Sequence, residues 1–289
     1  LASSAASDVY KRQNEEYIAA KEAGIPMMDR AEMVGQVMKN YPRAIAVSGT
    51  HGKTTTTSMV SHILLAADLD PTISVGGILK AIHGNLRIGH SDNFVTEACE
   101  YTNSFLKFHP TINLILNIEE DHMDFFKDLA DIRNSFKKFT ALLPENGLLI
   151  INGNIDNYKE IADCCQGQVT TYSISDQNCD YYATNITYDE LGHGSFDVME
   201  KGTLLTHIKL SVVGEHNISN ALSAIALARY LDISIEAIQK GLSAFEGTDR
   251  RFEYKGELGG ITIIDDYAHH PTEIAATLEA VSYTHLRAH

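Results

Sequence analysis

Basic residues are scarce in this sequence: 23 Lys and Arg stand against 38 Asp and Glu, giving a formal net charge of −15 at pH 7. Nucleic-acid backbones are bound by clustered Lys and Arg, and the sequence shows no such cluster, which argues against a nucleic-acid partner. A small phosphate ligand remains compatible with this charge, because backbone N–H groups, a single Lys and a metal ion can hold it.

Cysteines and long apolar runs are also few. The four cysteines, Cys99, Cys164, Cys165 and Cys179, have no Cys-x-x-Cys spacing and follow no secretory signal, which predicts a reducing, cytoplasmic location. The longest apolar stretches, such as residues 63–67, fall far short of the roughly 20 residues of a membrane helix, so no membrane insertion is expected. The 289 residues are 44% hydrophobic, enough for two globular domains.

Strand and helix signals alternate through the centre of the chain, which predicts an α/β fold with a mostly parallel sheet flanked by helices. Short buried strands are predicted at residues 43–48, 94–98, 111–117 and 147–152. Helices are predicted after the first strand to residue 67, at residues 128–143, and as a pair within residues 214–246. Between residues 169 and 213, Tyr, Thr, Ile and Val alternate with polar residues, which predicts antiparallel edge strands.

The flanks of this centre are predicted separately. Apolar periodicity in residues 14–40 indicates two short helices around a turn at residues 24–26, and a new strand is predicted at residues 261–264. Residues 1–13 and 281–289 continue no neighbouring periodicity, so we expect them to be non-native sequence from cloning or sequencing; native termini are the alternative.

A phosphate-binding loop is predicted between the first strand and its helix, in the run Gly49-Thr50-His51-Gly52-Lys53-Thr54-Thr55. Glycines let the backbone turn its N–H groups towards phosphate oxygens, and the helix N-terminus adds positive potential. Lys53 can reach the β- and γ-phosphates of ATP, and the Thr54 hydroxyl can ligate Mg²⁺. The usual first glycine would fall at Val47, so this loop is a shortened variant; a glycine-rich turn that binds nothing is the alternative.

Carboxylates follow two other predicted strands. Residues 117–124, which include His122, come after one strand, and Glu97 ends another. Ligands of open α/β sheets gather at the carboxyl ends of strands, and carboxylates with one His can hold a hard divalent cation. The alternatives are a solvated acidic helix start and an exposed acid at a strand end.

The helix predicted after Gly214 opens with His216, Asn217 and Asn220, whose imidazole and amide groups suit the edge of an adenine ring. Simple N-capping of that helix is the alternative.

Together these motifs resemble those of the Mur ligases, which form peptide bonds at the expense of ATP in peptidoglycan synthesis. The resemblance rests on five spaced segments: Gly49-Thr-His-Gly-Lys-Thr-Thr-Thr-Thr-Ser58, Glu100-Tyr-Thr-Asn-Ser-Phe-Leu106, residues 117–124, His216-Asn217-x-x-Asn220 and Asp265-Asp-Tyr-Ala-His-His-Pro-Thr-Glu273. Within the family, they are most similar to the branch that adds L-alanine to UDP-N-acetylmuramate.

The resemblance implies a domain plan. Residues 14–42 would be the tail of an N-terminal UDP-binding domain, residues 43–246 a complete central ATP-binding domain, and residues 247–280 the start of a C-terminal Rossmann-like ligase domain. With both flanking domains cut short, the fragment itself is expected to be inactive.

The resemblance also implies the chemistry. The muramyl carboxylate would attack the γ-phosphorus of ATP, and the amine of L-alanine would then displace phosphate from the acyl phosphate. Catalytic roles fall on Lys53, Glu97 and His122. Thr54 and Glu97 would hold one Mg²⁺, and Glu97 and His122 a second. ATP would also contact Arg251, unless that residue is only an exposed charge in a linker.

Three alternatives stay open. Lys137 has the spacing of a carbamylated Lys in some related ligases, but the alanine-adding branch does not use this device, and we do not assign it. A recycling ligase that attaches a ready-made tripeptide would share the same ATP machinery. A phosphate-loop NTPase would share only the loop.

Asp266, His269 and His270 are expected to face the cleft from the third domain.

Overall fold

The computed structural model describes residues 14–189, 192–247, 253–266, 268, 271, 274–275 and 277–278. Two short helices come first, α1 (Glu15–Glu22) and α2 (Arg30–Met38), as predicted. Helix α2 begins with a capping box, in which the Asp29 carboxylate accepts from Glu32 N and the Glu32 carboxylate accepts from Asp29 N. Asp29 also pairs with Lys107, which ties α2 to the rest of the molecule.

A 10-stranded sheet forms the centre of the molecule. Its strands are β1 (Arg43–Ser48), β2 (Thr72–Leu79), β3 (Gly84–Arg87), β4 (Asn93–Ala98), β5 (Ile112–Ile115), β6 (Leu148–Asn152), β7 (Gln168–Ser173), β8 (Tyr181–Tyr188), β9 (His193–Glu200) and β10 (Thr203–Val213). They lie in the order β10-β9-β8-β7-β6-β5-β1-β4-β2-β3. Neighbours from β8 to β2 pair in parallel, whereas β9 and β10 at one edge and β3 at the other are antiparallel.

Helices cover both faces of this sheet: α3 (Lys53–Ala66), α4 (Leu129–Thr140), α5 (Lys159–Ala162), α6 (Glu215–Tyr230) and α7 (Ile235–Ala244). Strand β1 shows how the two cores arise. Ile45 and Val47 belong to the cluster that contains α3, α6 and α7, while Ala44 and Ala46 belong to the cluster that contains α2 and α4. Alternate residues of a strand point to opposite faces, so a fully buried strand serves both cores.

Helix α4 shows why the sequence forms these elements. The Asp128 side chain caps it by accepting from Asp131 N at 2.9 Å, and Ile132, Phe136 and Phe139 recur at helical spacing on its buried face. Phe139 stacks on Phe105 with ring centroids 4.3 Å apart. This contact holds the segment that follows β4 against α4.

The prediction of antiparallel strands throughout residues 169–213 is partly wrong. Strand β7 pairs in parallel with β6, and Tyr172 and Ser173 pair in parallel with Tyr181 and Tyr182 of β8. The short helix α5 carries the chain back between β6 and β7, and such a crossover makes two neighbouring strands parallel. Four residues of helix are too few for a periodicity signal. Strands β9 and β10 are antiparallel, as predicted.

Strands β2 and β3 were not predicted, because Gly76 and Gly77 interrupt the apolar pattern of β2. After the main sheet, β11 (Glu253–Leu258) and β12 (Ile261–Asp265) form a separate antiparallel pair, of which only β12 was predicted. In the described ranges, each helix is too short or too polar to reach across a bilayer.

Candidate active site

The predicted site residues meet because β1 lies between β4 and β5 in the sheet. Ser48, the last residue of β1, is paired with Ala98 of β4 and Ile115 of β5. The carboxyl ends of three parallel strands therefore share one edge, where ligands of such sheets bind. The loop after β1, the segment after β4 and the acidic segment after β5 all start there.

The loop after β1 needs glycine at two positions. Gly49 has φ +143°, and a Cβ at this position would lie 3.0 Å from Leu116 Cβ and 3.1 Å from Asn117 N. Gly52 has φ +82° and directly precedes α3. Both backbone conformations are strained for residues that carry a side chain. The glycines thus allow the loop to pass close to β5 and then enter the helix.

Asn117 holds this loop from the side of β5. Its amide accepts from His51 N at 2.7 Å and donates to His51 O at 3.0 Å, while its carbonyl accepts from Thr50 N at 3.2 Å. The Thr50 hydroxyl accepts from Glu119 N at 2.9 Å. The N–H groups of Thr50 and His51, two of the predicted phosphate contacts, are thus bound within the protein. The first N–H groups of α3, beyond Gly52, lack intrahelical partners and remain the natural anion donors.

The ammonium group of Lys53 lies inside the loop. It donates to the carbonyl oxygens of Gly49 and Thr50, the latter at 3.0 Å, and pairs with the Glu100 carboxylate at 3.2 Å. Lys53 is 16% exposed and Glu100 only 2%. Glu100 was absent from the predicted site, although it stands in one of the segments that carry the family resemblance. A second Glu soon after a strand end was the available signal, but its burial cannot be read from the sequence.

Thr54 and Glu97 are in contact, as the predicted first metal pair requires. The Thr54 hydroxyl donates to Glu97 Oε2 at 3.1 Å, and Gly76 N donates to Glu97 Oε1 at 2.5 Å. A Cβ at residue 76 would come within 2.9 Å of the Glu97 carboxylate, so the glycine in β2 makes room for it. Glu97 is therefore oriented by two donors from different elements.

His122 lies in a separate group of possible ligands. One ligand atom each from Glu100, Asp121 and His122 lies within 4.8 Å of the others. His122 has φ +53°, and the ring of Tyr101 stacks on it with centroids 4.4 Å apart. Tyr101 OH donates to Asp124 at 2.8 Å, and this bond raises the pKa of the phenol.

These donor sets fit divalent cations. Hydroxyl and carboxylate oxygens are the ligands that Mg²⁺ prefers, and neutral imidazole is a common ligand for other divalent metals. Thr54 with Glu97 matches the predicted first site. His122 is grouped with Glu100 and Asp121, whereas Glu97 is not a member of that group. The sharing of Glu97 between two metals stays a prediction.

The opening of α6 lies against the loop after β1, where a Cβ at Gly52 would come within 2.7 Å of Asn220 Oδ1. Asn217 donates to Val213 O at 2.7 Å, and Asn220 donates to Asn217 Oδ1 at 3.1 Å; both asparagines are buried. Gly214 is the N-cap of this helix and has no side chain to form a capping bond, so the alternative of simple N-capping stays open. The predicted adenine contacts of His216, Asn217 and Asn220 stay predictions.

Three other residues discussed from the sequence have clear positions. Lys137 donates to Glu160 at 2.9 Å on α5, a surface pair that engages its amine. Asp266 accepts from Ala268 N at 3.0 Å and from the Thr277 hydroxyl at 2.8 Å. Arg251, His269 and His270 lie outside the described residues, as do residues 1–13 and 281–289.

Comparison with known proteins agrees with this architecture. Residues 47–228 match the family model described as the Mur ligase middle domain, and residues 250–288 match the Mur ligase glutamate ligase domain. The UDP-N-acetylmuramate–L-alanine ligase of Agathobacter rectalis is 58% identical over 95% of this chain and 60% of its own length. The chain thus spans about three fifths of the curated relatives it matches.

Solved structures give the same result. The crystal structure of the UDP-N-acetylmuramate–alanine ligase from Thermotoga maritima is similar with a TM-score of 0.83 and 28% identity, over 96% of this chain and 62% of that one. A UDP-N-acetylmuramate:L-alanyl-γ-D-glutamyl-meso-diaminopimelate ligase from Neisseria meningitides is similar with a TM-score of 0.74 and 29% identity, over 84% and 78%. The matched domains and the arrangement around Lys53 agree, and the chain belongs to the Mur ligase family.

Proposed function

We propose that the complete protein is an ATP-dependent ligase that joins L-alanine to the carboxylate of UDP-N-acetylmuramate. The observation that carries the proposal is the convergence of Lys53, Thr54 and Glu97 at the carboxyl edge of β1 and β4. The name of the relative that is 58% identical supports the choice of L-alanine.

The chain's own residues would act mainly by charge and position. Attack of a carboxylate on a phosphoryl group brings two anions together, which requires preorganised positive charge. The N-terminus of α3 would bind phosphate oxygens, and the Lys53 ammonium would neutralise charge on the transferred group. Thr54 and Glu97 would hold one Mg²⁺, and His122 a second with Glu97. Bound Mg²⁺ would supply further positive charge to the phosphates.

A tripeptide-recycling ligase is the second candidate, favoured by the likeness to the Neisseria meningitides structure. Its central domain would need the same loop, so the loop does not separate the two. The higher identity of the alanine ligases favours L-alanine. A phosphate-loop NTPase without ligase activity is disfavoured, because it would need neither the Glu97 and His122 ligands nor the opening of α6.

We also propose the domain division described from the sequence, with residues 14–42, 43–246 and 247–280 as tail, central domain and start of the ligase domain. The continuous ten-stranded sheet from β1 to β10 supports the central unit. The proposed compartment is the cytoplasm, because the precursor nucleotide and ATP are metabolites of that compartment.

The test is an assay of the complete gene product with purified substrates. ADP release should require both UDP-N-acetylmuramate and an amino acceptor, and L-alanine should support it far better than the tripeptide. Preference for the tripeptide would favour the recycling ligase. ADP release that is independent of any acceptor would reject a ligase altogether.

A further inference from the structure

Glu100 carries a carboxylate that is buried too deeply to remain charged without a nearby positive group. Its side chain is 2% exposed, and its cationic partner is the ammonium group of Lys53, 3.2 Å from Oε2 and 3.4 Å from Oε1. An ionised carboxylate that is buried without a compensating charge is strongly unfavourable. Lys53 therefore supplies the counter-charge of the Glu100 carboxylate in the ligand-free protein.

The ammonium group of Lys53 is fully hydrogen-bonded as well. An ammonium group has three N–H donors, and here they face two carbonyl oxygens, of Gly49 and Thr50, and the Glu100 carboxylate. A phosphate that binds Lys53 must displace at least one of these acceptors. When Glu100 is displaced, two anions face each other in a site of restricted solvent access, and their repulsion opposes binding.

A divalent cation could remove the repulsion between Glu100 and a bound phosphate. Asp121 and His122 lie beside Glu100, with one ligand atom of each residue within 4.8 Å of the others. A divalent cation bound there would replace Lys53 as the counter-charge of Glu100 and leave the ammonium group to the phosphate. The same carboxylate would then bind Lys53 without nucleotide and the cation with it.

We propose that Glu100 makes phosphate binding by this loop conditional on a divalent cation. The inference rests on the proposed nucleotide site and adds a positioning role for Glu100, a residue outside the predicted metal set of Thr54, Glu97 and His122. Nucleotide without metal binds weakly because Glu100 retains Lys53, and metal and phosphate each strengthen the binding of the other.

The test is calorimetric titration of the complete protein with ADP, once in excess EDTA and once in excess Mg²⁺. Glu100→Gln keeps the shape of the side chain and removes its charge. We expect this variant to bind metal-free ADP at least about tenfold more tightly than the wild type, because a single buried charge interaction of this kind exceeds that factor. The gain in affinity from Mg²⁺ should shrink correspondingly.

Two further variants separate charge from other effects. Glu145→Gln removes the same charge from an exposed residue between α4 and β6, outside the proposed site, and it should leave the metal-free affinity nearly unchanged. Glu100→Asp keeps the charge in a shorter side chain and should keep the weak metal-free binding. Thermal melting of each variant establishes that it is folded.

The wild type provides a measurement that needs no variant. Inorganic phosphate should tighten Mn²⁺ binding measured by electron paramagnetic resonance, and Mn²⁺ should tighten phosphate binding by the same factor. Independent binding of phosphate and Mn²⁺ would overturn this inference but not the proposed function. Tight metal-free ADP binding by both Glu100→Asp and wild type would have the same meaning. Failure of the wild type to bind ADP in Mg²⁺ would reject the proposed function with it.

Discussion

The side-chain amide of Asn220 lies against the backbone of Gly52: a Cβ at Gly52 would come within 2.7 Å of Asn220 Oδ1. Asn220 is in turn held by its bond to Asn217. The end of the loop after β1 is therefore packed against the first turns of α6, and the two elements fix each other's positions.

Gly52→Ala should lower the free energy of unfolding by more than the positive φ alone explains, because the added Cβ would also clash with Asn220 and distort the loop. Gly202 offers a matched control, because it has φ +81° against +82° for Gly52, but a Cβ added at Gly202 would meet no atom within 4 Å. We expect Gly202→Ala to lower the free energy of unfolding by about 1–2 kcal/mol. Gly52→Ala should cost more and should also weaken ADP binding, as measured by denaturant unfolding and calorimetry. Equal costs for the two variants would contradict the packing argument.

Lys53→Ala in the complete protein should abolish ligase activity while the fold is retained. The residue supplies a charge near phosphates, and Arg cannot fit the three acceptors of the loop in the same way, so Lys53→Arg should also be strongly impaired. Steady-state kinetics with purified substrates and circular dichroism check both points. Unchanged turnover of Lys53→Ala would reject the assignment of the loop.

Thr54→Val should raise the Mg²⁺ concentration needed for half-maximal activity, because valine has the shape of threonine but lacks the hydroxyl that contacts Glu97. Thr54→Ser keeps the hydroxyl and serves as the control. A Mg²⁺ titration of kcat and KM for the three proteins measures the effect. Identical Mg²⁺ dependence in Thr54→Val and wild type would exclude Thr54 from the metal site.

Lys137→Ala should leave the activity of the complete protein within about twofold of wild type, because Lys137 pairs with Glu160 at the surface. Exposed ion pairs contribute about 0–1 kcal/mol, so the loss in stability should be small as well. The measurement is kcat and KM in bicarbonate-containing and bicarbonate-depleted buffer. A large loss of activity in the variant would instead support a carbamylated lysine.

Asp70, whose carboxylate pairs with Arg87 of the edge strand β3, should contribute to the free energy of unfolding in a way that depends on pH. Its hydrogen bond from Arg87 and a further bond from His90 N lower the pKa of the carboxyl from 3.8 to about 2. Because the folded pKa is the lower one, this contribution is complete above about pH 4 and is lost as the pH falls towards 2. The difference in unfolding free energy between wild type and Asp70→Asn should shrink over that range. A difference that is constant with pH would contradict it.

The sequence predicted the parts of the site that follow from chain order. A buried strand, two glycines and Lys53 at the start of a helix identify the loop, and strands that end in Glu97 and in residues 117–124 must bring their side chains to one edge of a parallel sheet. These relationships depend on strand periodicity and position, which are visible without coordinates.

What the sequence did not predict depends on contacts between distant segments. Glu100 differs from an exposed acid only by its burial and by Lys53, a residue 47 positions away. The parallel pairing of β7 depends on the four-residue helix α5, which is too short for a periodic signal. Asn117 and Asn220 bond to the backbone or lie against it, and polar residues in loops give no sign of such contacts.

The central position of β1 has a consequence for folding. The bonds that join residues 50–54 to Glu97, Glu100, Asn117 and Glu119 span 43 to 69 positions, so the full set forms only after β4 and β5 have both paired with β1. Contacts of such long sequence separation are slow to form, because the chain must lose loop entropy first. A nucleotide bound at the proposed site would therefore bind only chains in which these three strands have assembled, and it would stabilise that folded state against unfolding.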